Sequence, residues 1–560
     1  MKNWPVHKIA AVGLTASFIV MNGGCGGGNS NNIPKNYNVM LIVTDQEHYF
    51  SQYPQNSNYK ARKLLAEMGT TFEKHYVCSN MSTSSRSTIF TGHHVQDTGM
   101  TDNTDFPWQN PMSSSLRTIG DIMNDAGYYS AIKGKWHLGD SSIEGGTSNI
   151  TDLTDYGFRD WGGTDYIGSV WQGHEKDPVV VSEAVEWLGD KGKNLNSEGK
   201  PFFLLLTMIN PHDIMDYDIT GYKSPKLHLG GRPSDSIYDV SYDVPVPSTY
   251  NFDLTADDVP QGIKLYNNNW GILAGSFDVS DTETTGKSLP ELWKDYQNYY
   301  FNCIQDSDNN LQKVIDTLRE NDMLKNTIII FTADHGEMHG SHGLKGKGGF
   351  VYENNIHVPL IIVHPDYNGG QKISALTSHI DLAATLADIA KISEDIPGKS
   401  LMPLIKGEKN SVRDTALFCY EMISMSVPIE VVSGEVSYTK GLSNMLQRPN
   451  QSMDRGIMRG IITEDGYKFA RYFSPRQFNT PTTFDELFTS NDVQVFNMNA
   501  DKDETDNLAG KSKREANREL IMRLNGLMNN TIAKEVTNES SEHILKPLLD
   551  YLSALHKVNV

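Results

Sequence analysis

Short apolar runs rich in β-branched and aromatic residues alternate along this chain with longer stretches whose apolar positions recur at helical spacing. The short runs are bounded by polar or turn-forming residues and predict strands at Asn38–Val43, Tyr128–Ile132, Phe202–Met208, Thr327–Phe331 and Leu360–Val363. The helical spacing predicts helices at Tyr59–Met68, Ile119–Ala126, Val179–Leu188 and Leu292–Leu318. Strands that alternate with helices favour an α/β fold, in which a parallel sheet is flanked by helices.

The hydrophobic pattern changes character twice. From 213 to 287 it fades into a polar stretch rich in Gly, Pro and Asp, which also carries Trp270 and several tyrosines. Long stretches without periodicity inside a compact domain are usually functional loops or disordered, and the aromatic content favours a substrate-facing insertion. After about Asp414 the segments become shorter. We therefore predict a large domain over 36–415, with an insertion at 213–287, and a smaller C-terminal subdomain over 416–560.

Composition and charge restrict the possible partners. The chain has 560 residues, of which 38% are hydrophobic and 21% charged, as in an ordinary soluble globular protein. Its formal net charge of −20 argues against a nucleic-acid-binding protein or one that binds anionic membranes. The same charge disfavours an anionic ligand, unless a local cluster of basic side chains binds it.

The N-terminus is typical of an export signal. Lys2 and Lys8 precede the apolar run Ile9–Met21, which is too short to span a bilayer comfortably. Two glycines and Cys25 follow, and this arrangement resembles a bacterial lipoprotein signal in which the cysteine is acylated. Asn22 stands where leucine is usual, so ordinary signal cleavage is the alternative. We expect a signal peptide over 1–24, a flexible linker over 25–35, and a periplasmic or outer-membrane protein anchored through lipidated Cys25.

The segment Ser82–Gly92 carries the first candidate chemistry. Small hydroxyl residues open a short predicted helix, and a glycine suits its left-handed end. The free N–H groups and the dipole of such a helix start attract anions. A nucleophile at Ser82, followed by Arg86, would suit a sulfate or phosphate ester. The alternative is an ordinary capped surface helix.

This segment resembles the signature of the type I, formylglycine-dependent sulfatases, members of the alkaline phosphatase superfamily. Their pattern is Cys or Ser, any residue, Pro or Ala, Ser, Arg, three residues, Leu, Thr, Gly. The Ser-Arg pair at 85–86 and the Thr-Gly pair at 91–92 fix the register, which puts the nucleophile at Ser82 and Phe90 at the leucine position. Cys78 lies four residues too early. Ser84 departs from the pattern at the Pro or Ala position, which leaves open which maturation enzyme recognises the site.

The resemblance also implies a fold. Such proteins have a large mixed, mostly parallel sheet sandwiched by helices, so 36–415 would be the catalytic domain. A smaller α+β subdomain follows, and Leu487–Asn507 is similar to a segment found in it.

Two predicted strands end in acidic residues, which points to a metal site at one edge of the sheet. Asp45 and Asp334 each follow a strand, and either alone could be a turn residue. With Gln46, His335 and the hydrated nucleophile at Ser82, they are similar to the sulfatase metal site, which implies one divalent cation. Calcium is favoured on family grounds, and the histidine nitrogen keeps manganese and magnesium open. The Gln and His pair also resembles choline sulfatases and phosphonate monoester hydrolases.

Three further segments carry cationic side chains that the family uses to bind sulfate. Gly134–Gly139 reads GKWHLG, a string that matches a sulfatase element and contributes Lys135 and His137. The alternative is that Lys135 is a solvent-exposed lysine and His137 a histidine packed in the core, neither with a role in binding. His212, next to Pro211, matches the family histidine that contacts sulfate. Lys347 matches the family's second sulfate-binding lysine, and Lys345, two residues earlier, is the alternative for that position.

The resemblance implies a mechanism and partners. Ser82 would be oxidised to formylglycine by a radical-type maturating enzyme, and Arg86 would hold the modified side chain. A metal-bound hydroxyl of the hydrate would attack sulfur, with His212 or Lys347 protonating the leaving alcohol. His137 would then accept the proton that lets sulfate leave. The substrate would be a sulfated small molecule or glycan, which includes aryl and carbohydrate sulfates.

Two other functions compete with this one. A phosphate or phosphonate ester hydrolase of the same superfamily would use Ser82 directly or as formylglycine. A surface lipoprotein that binds sulfated glycans without turnover would result if Ser82 were never oxidised.

Overall fold

The computed structural model describes residues 36–142, 147–221, 229–270, 275–424 and 455–558. The strands are β1 (Asn38–Thr44), β2 (Thr70–Phe72), β3 (His75–Tyr76), β4 (Tyr129–Gly134), β5 (Ser141–Ser142), β6 (Thr147–Ser148), β7 (Phe202–Thr207), β8 (Thr327–Ala333), β9 (Leu360–Val363), β10 (Gln371–Ile373), β11 (Thr377–Ser378), β12 (Thr415–Tyr420), β13 (Ile457–Thr463), β14 (Tyr467–Phe473) and β15 (Asp492–Asn497). The predicted signal peptide, the linker and Cys25 lie outside the described residues.

The α-helices of the described residues follow in chain order. They are α1 (Lys60–Met68), α2 (Ser82–Thr91), α3 (Val95–Thr98), α4 (Ile119–Asp125), α5 (Gln172–Trp187), α6 (Lys193–Ser197), α7 (Gln261–Trp270), α8 (Val279–Thr285), α9 (Leu289–Glu320), α10 (Glu353–Ile356), α11 (Ile380–Ala390), α12 (Met402–Ile405), α13 (Phe484–Ser490), α14 (Arg518–Glu535) and α15 (Glu542–Val558). None of the helices in the described ranges has both the length and the apolar character needed to cross a membrane.

A seven-stranded sheet with the order β10-β2-β9-β8-β1-β7-β4 forms the centre of the larger domain. The pairs of β1 with β7 and β8, of β7 with β4, and of β10 with β2 are parallel, whereas β9 is antiparallel to both of its neighbours. All five predicted strands are present. The mixed, mostly parallel sheet confirms the predicted fold class.

Helices cover both faces of this sheet, which explains why its central strands are continuously apolar. Along β1, Val39, Leu41 and Val43 belong to one core and Met40 and Ile42 to another, because successive side chains point to opposite faces. Helices α2, α4 and α11 contribute to the first core, and α1, α5 and α9 to the second.

The helix boundary that differs most from the sequence prediction is the start of α5. Helix α5 begins at Gln172, not at Val179. The reason is a distant cap: the backbone N–H groups of Gly173 and His174 donate to the carboxylate of Asp213 at 2.7 and 2.8 Å. This cap satisfies first-turn donors that would otherwise have no partner, and it is not visible in the local sequence.

The described part of 213–287 is folded and contains α7 and α8. Its aromatic residues Tyr238, Tyr242 and Trp270 are buried against other elements. The high aromatic content of this segment is therefore explained by packing in the hydrophobic core. The substrate-facing role of this insertion stays a prediction.

The C-terminal subdomain is built on a four-stranded antiparallel sheet with the order β12-β13-β14-β15. Helix α14 packs on it through Ile521, Leu524 and Met528, which share a core with Phe469 of β14. This arrangement confirms the predicted smaller α+β subdomain.

Candidate active site

The central strands β1 and β8 bring two acidic residues together at the carboxyl edge of the sheet. These strands are parallel neighbours, with Thr44 in register with Ala333, so the residues that follow emerge side by side. The N–H of Asp334 donates to the carbonyl of Thr44 at 2.9 Å, and the N–H of Gln46 donates to Oδ1 of Asp334 at 3.0 Å. Ligands in α/β sheets bind at this edge, where the sequence predicts the site.

The predicted nucleophile lies in the first turn of α2. Ser82 Oγ is 3.2 Å from Oδ2 of Asp45 and 3.2 Å from Nε2 of His335. The helix ends at Gly92, which adopts the left-handed conformation with φ of 74°, as predicted. The start differs from the expectation, because the N-cap residue is Met81, whose side chain makes no capping hydrogen bond. The hydroxyl side chains of this segment therefore do not act as the N-terminal cap of the backbone N–H groups in the first turn.

Arg86 bridges the two strand-end carboxylates. Its Nη2 is 3.0 Å from Oδ2 of Asp45, and its Nε is 3.1 Å from Oδ2 of Asp334. The third contact runs from Nη1 to the carbonyl of Lys135 at 3.1 Å. Arg86 is fully buried, and its rigid fork fixes the relative positions of these groups. None of these three contacts involves Ser82, so direct binding of the modified side chain by Arg86 stays a prediction.

Lys135 and Lys347 both reach this cluster. Lys135 Nζ donates to Oδ2 of Asp45 at 2.6 Å. Lys347 Nζ donates to Oε1 of Gln46 at 2.9 Å and lies 3.9 Å from Asp45. The ammonium group of Lys345 instead lies over the ring of Phe277, 4.4 Å from its centroid. The geometry therefore supports Lys347 as the site lysine.

The two predicted histidines are buried beside this cluster. His212 lies in electrostatic reach of Asp45 and Lys347. Its ring packs against Gly168, where an added Cβ would come within 2.6 Å of Cε1. His137 has a positive φ of 56°, and its Nε2 is 3.0 Å from Oδ1 of Asp105. The Nδ1 atoms of both rings are buried without a hydrogen-bond partner among the described residues.

The charges in the cluster perturb one another strongly. Burial raises the pKa of Asp45, but Lys135, His212, Lys347 and Arg86 together hold that pKa well below its usual value. The pKa of Asp334 is raised to about 7 by burial and by the neighbouring carboxylate. Two carboxylates that repel each other in this way form a site that a cation would stabilise.

The donor set fits a divalent cation. Ligand atoms of Asp45, Asp334 and His335 lie within 4.8 Å of one another. Burial, together with Lys347, lowers the pKa of His335 well below its usual value, so the ring is neutral. Its Nδ1 lies 3.1 Å from the carbonyl of Gly336 and carries the hydrogen, which leaves the Nε2 lone pair facing both carboxylates at 3.5 Å. This lone pair and the two carboxylates therefore converge on one small region, and Gln46, whose N–H donates to Asp334, lies beside it.

Two residues with structural roles at the site have little or no sequence signal. Glu337 accepts a hydrogen bond from Nε2 of Gln46 at 2.6 Å and so orients that amide; its only signal is its place two residues after His335. Asp105, the partner of His137, lies in a loop without a recognisable motif. Ser84 is buried, and its hydroxyl has no hydrogen-bond partner among the described residues.

Comparisons with known proteins identify relatives of this chain. The sequence model of the family described as Sulfatase matches residues 37–392. The N-acetylglucosamine-6-O-sulfatase of Bacteroides thetaiotaomicron is 27% identical over 433 residues, which cover 68% of this chain and 73% of that protein.

Solved structures share the fold at low sequence identity. One protein, solved in complex with its substrate D-glucosamine-2-N,6-O-disulfate, superposes with a TM-score of 0.59 at 19% identity, covering 91% of this chain and all 100% of the other. The phosphonate monoester hydrolase of Silicibacter pomeroyi gives a TM-score of 0.61 at 19% identity, covering 90% of this chain and 96% of that one.

Proposed function

This chain belongs to the sulfatase family and is a sulfuric ester hydrolase, and we propose that it releases sulfate from a sulfated carbohydrate. The observation that carries the proposal is the convergence of Lys135, Lys347 and Arg86 on a site that also contains Ser82. This local positive charge, in a protein with net charge −20, allows an anion to bind where the whole chain would repel it.

The carbohydrate part of the proposal has separate support. The similar protein from Bacteroides thetaiotaomicron is named for the sulfate on O6 of N-acetylglucosamine, and one solved neighbour was crystallised with a disulfated glucosamine. An aryl or choline-like alcohol is the alternative for the leaving group.

We further propose that Asp45, Gln46, Asp334 and His335 hold one divalent cation, with calcium the preferred ion, and that Ser82 is matured to formylglycine. When bound, the ion supplies Lewis-acid stabilisation of charge on the sulfate oxygens, and the formylglycine hydrate supplies a reactive hydroxyl. Oxidation of Ser82 would require a radical-type maturating enzyme. Cys78 does not fit that role, because it lies four residues before the signature position, and its buried Sγ contacts Ser378 Oγ at 3.1 Å.

The other side chains of the site have separate roles in binding the anion and transferring protons. Lys135 and Lys347 are preorganised to bind the sulfate oxygens, since both ammonium groups are held in place by neighbouring acceptors. His212 and Lys347 are the candidates for protonating the leaving alcohol. His137 offers a free Nδ1 to accept a proton from the residue at position 82.

The proposal is tested by incubating the matured enzyme with three esters: 6-sulfated N-acetylglucosamine, an aryl sulfate and an aryl phosphonate monoester. We expect sulfate release, measured by ion chromatography, with the highest kcat/KM on the sugar sulfate. The Ser82→Ala variant, prepared in parallel, should release none. Higher kcat/KM on the aryl sulfate would contradict the carbohydrate assignment.

A second candidate function is phosphonate monoester hydrolysis. Gln46 and His335 in the metal site favour it, since this pair resembles such hydrolases. The GKWHLG element with Lys135 and His137 favours sulfate. Turnover of the phosphonate at a higher kcat/KM than either sulfate would reverse the order of the two candidates.

We also propose that the protein is exported and anchored through lipidated Cys25, because the first 24 residues resemble a lipoprotein signal. Metabolic labelling with a palmitate analogue tests this, with Cys25→Ser as the control. Label that persists in the control would contradict the assignment.

A further inference from the structure

Asp105 and His137 form a buried pair beside the candidate nucleophile. Oδ1 of Asp105 lies 3.0 Å from Nε2 of His137, and the two side chains are 17% and 3% exposed. The backbone of His137 is also fixed: its N–H donates to the carboxylate of Asp165 at 3.0 Å, and its carbonyl accepts from Oγ1 of Thr83 at 2.8 Å. Thr83 follows Ser82 directly, so the backbone of His137 is held next to the helix start.

The partner of His137 determines where its proton lies. Burial opposes ionisation of Asp105, but His137, Ser141 and Lys135 hold the pKa of this carboxyl below its usual value. An ionised carboxylate only accepts hydrogen bonds, so the hydrogen of the neutral ring is on Nε2. The lone pair is therefore on Nδ1, which is buried and has no hydrogen-bond partner among the described residues.

The loop that carries Asp105 is attached to the start of α2. Oδ1 of Asn103 accepts from the N–H of Thr83 at 3.3 Å, and the hydroxyls of Thr104 and Ser141 lie 2.8 Å apart. Ser141 in turn donates to Asp105 at 2.9 Å. Because these contacts restrict both partners, the orientation of the carboxylate toward the imidazole is preorganised.

We propose that Asp105 is a positioning residue that keeps the Nε2–H tautomer of His137, so that Nδ1 can accept a proton from the oxygen at position 82. In this step the O–H bond at residue 82 breaks and an N–H bond forms at Nδ1. The Nε2 hydrogen remains on the ring, and the carboxylate stabilises the imidazolium without itself taking the proton. The inference rests on the proposed function, because it assigns His137 the base of that reaction.

The first test observes the tautomer directly and does not require catalysis. Protein with unmodified Ser82 is labelled with ¹⁵N-histidine, and two-bond ¹H–¹⁵N spectra identify the protonated ring nitrogen, with His137→Gln providing the assignment. Wild-type protein should show Nε2–H at His137. Asp105→Asn should lose the preference for this tautomer and lower the pKa of His137, since a negative charge has been removed. An Nδ1–H tautomer in the wild type would overturn the inference, whether or not the variant folds.

The second test separates the two halves of the reaction in matured enzyme. With Asp105→Asn, release of alcohol in the first turnover should be nearly unchanged, while steady-state sulfate release should fall about 10²-fold, the scale of a general base. Ser141→Ala removes the other hydrogen bond to Oδ1 of Asp105 and should keep both rates within about threefold. Equal loss of both half-reactions in Asp105→Asn would show a merely structural role. Absence of sulfate release by the wild type would instead contradict the proposed function.

Discussion

Glu337 accepts a hydrogen bond from Nε2 of Gln46 at 2.6 Å, and this contact turns the amide oxygen of Gln46 toward Lys347. Oε1 of Glu337 is itself held by the hydroxyl of Tyr296 at 2.9 Å and by the N–H of Gly346 at 2.8 Å. An amide can present either its oxygen or its nitrogen, and only the oxygen can bind a cation. The buried glutamate thus selects the amide orientation that the proposed metal site would require.

Replacing Glu337 by Ala should therefore weaken cation binding about 10- to 100-fold, as is typical when a partner of a metal ligand is lost. The affinity is measured by titration of metal-free protein against a competing chelator. Tyr296→Phe removes one other hydrogen bond to Glu337 but keeps the contact with Gln46, so it serves as the matched control. Equal affinities of Glu337→Ala and wild type would show that the amide does not need this partner.

Removing the ion should abolish activity, and Asp334→Ala should do the same while the fold is kept. In the proposed mechanism the ion would bind residue 82 and would neutralise charge on the sulfate oxygens. The metal-free protein should also melt at a lower temperature than the ion-bound protein, because Asp45 and Asp334 then repel each other in a buried site. Full activity after dialysis against a strong chelator would show that the metal assignment is wrong.

Lys135→Ala and Lys347→Ala should each lower kcat by about two to three orders of magnitude, as expected for loss of one preorganised charge contact. Lys345→Ala is the matched control, since its ammonium group lies over Phe277. Steady-state kinetics on one sulfate ester measures all three variants. A large loss in Lys345→Ala alone would reverse the lysine assignment.

The pH dependence of kcat should reflect His137. Burial and Lys135 lower the pKa of His137 below 6.5, against the opposing effects of Asp105 and Asp165. His137 must be neutral to act as a base, so kcat should stay on its plateau as the pH falls to 6.5 and decrease only below that pH. A pH profile of steady-state sulfate release measures this. An acidic limb centred above pH 6.5 would assign the base to another group.

The positions of Asp45 and Asp334 could be predicted from the sequence because they depend on local rules. Each follows a short apolar run that predicts a buried strand. The carboxyl ends of parallel strands lie at the same edge of a sheet, which places the two residues together. Ser82 and Arg86 were assigned on a different basis, the resemblance of 82–92 to the sulfatase signature, which fixes their register.

Other parts of the site depend on packing between distant segments. Lys345 and Lys347 lie two apart in a glycine-rich loop, and only the surrounding fold distinguishes them. Asp105 was missed because its partner, His137, is 32 residues away. Glu337 could be placed near the metal ligands as a neighbour of His335, but its contact with Gln46, 291 residues away, could not be predicted. The start of α5 was wrong by seven residues, because Asp213, 40 residues from Gly173, supplies its cap.

The mass of the peptide that contains Ser82 tests the central claim most directly. The protein is expressed with and without a radical-type maturating enzyme under anaerobic conditions and digested, and the peptide is analysed by mass spectrometry. The account predicts that maturation makes this peptide lighter by two hydrogens, makes it reactive toward a carbonyl-trapping hydrazide, and brings sulfate release with it. Cys78→Ala should retain all three properties. Active enzyme in which Ser82 is wholly unmodified would contradict the account and favour a hydrolase that uses the serine hydroxyl directly.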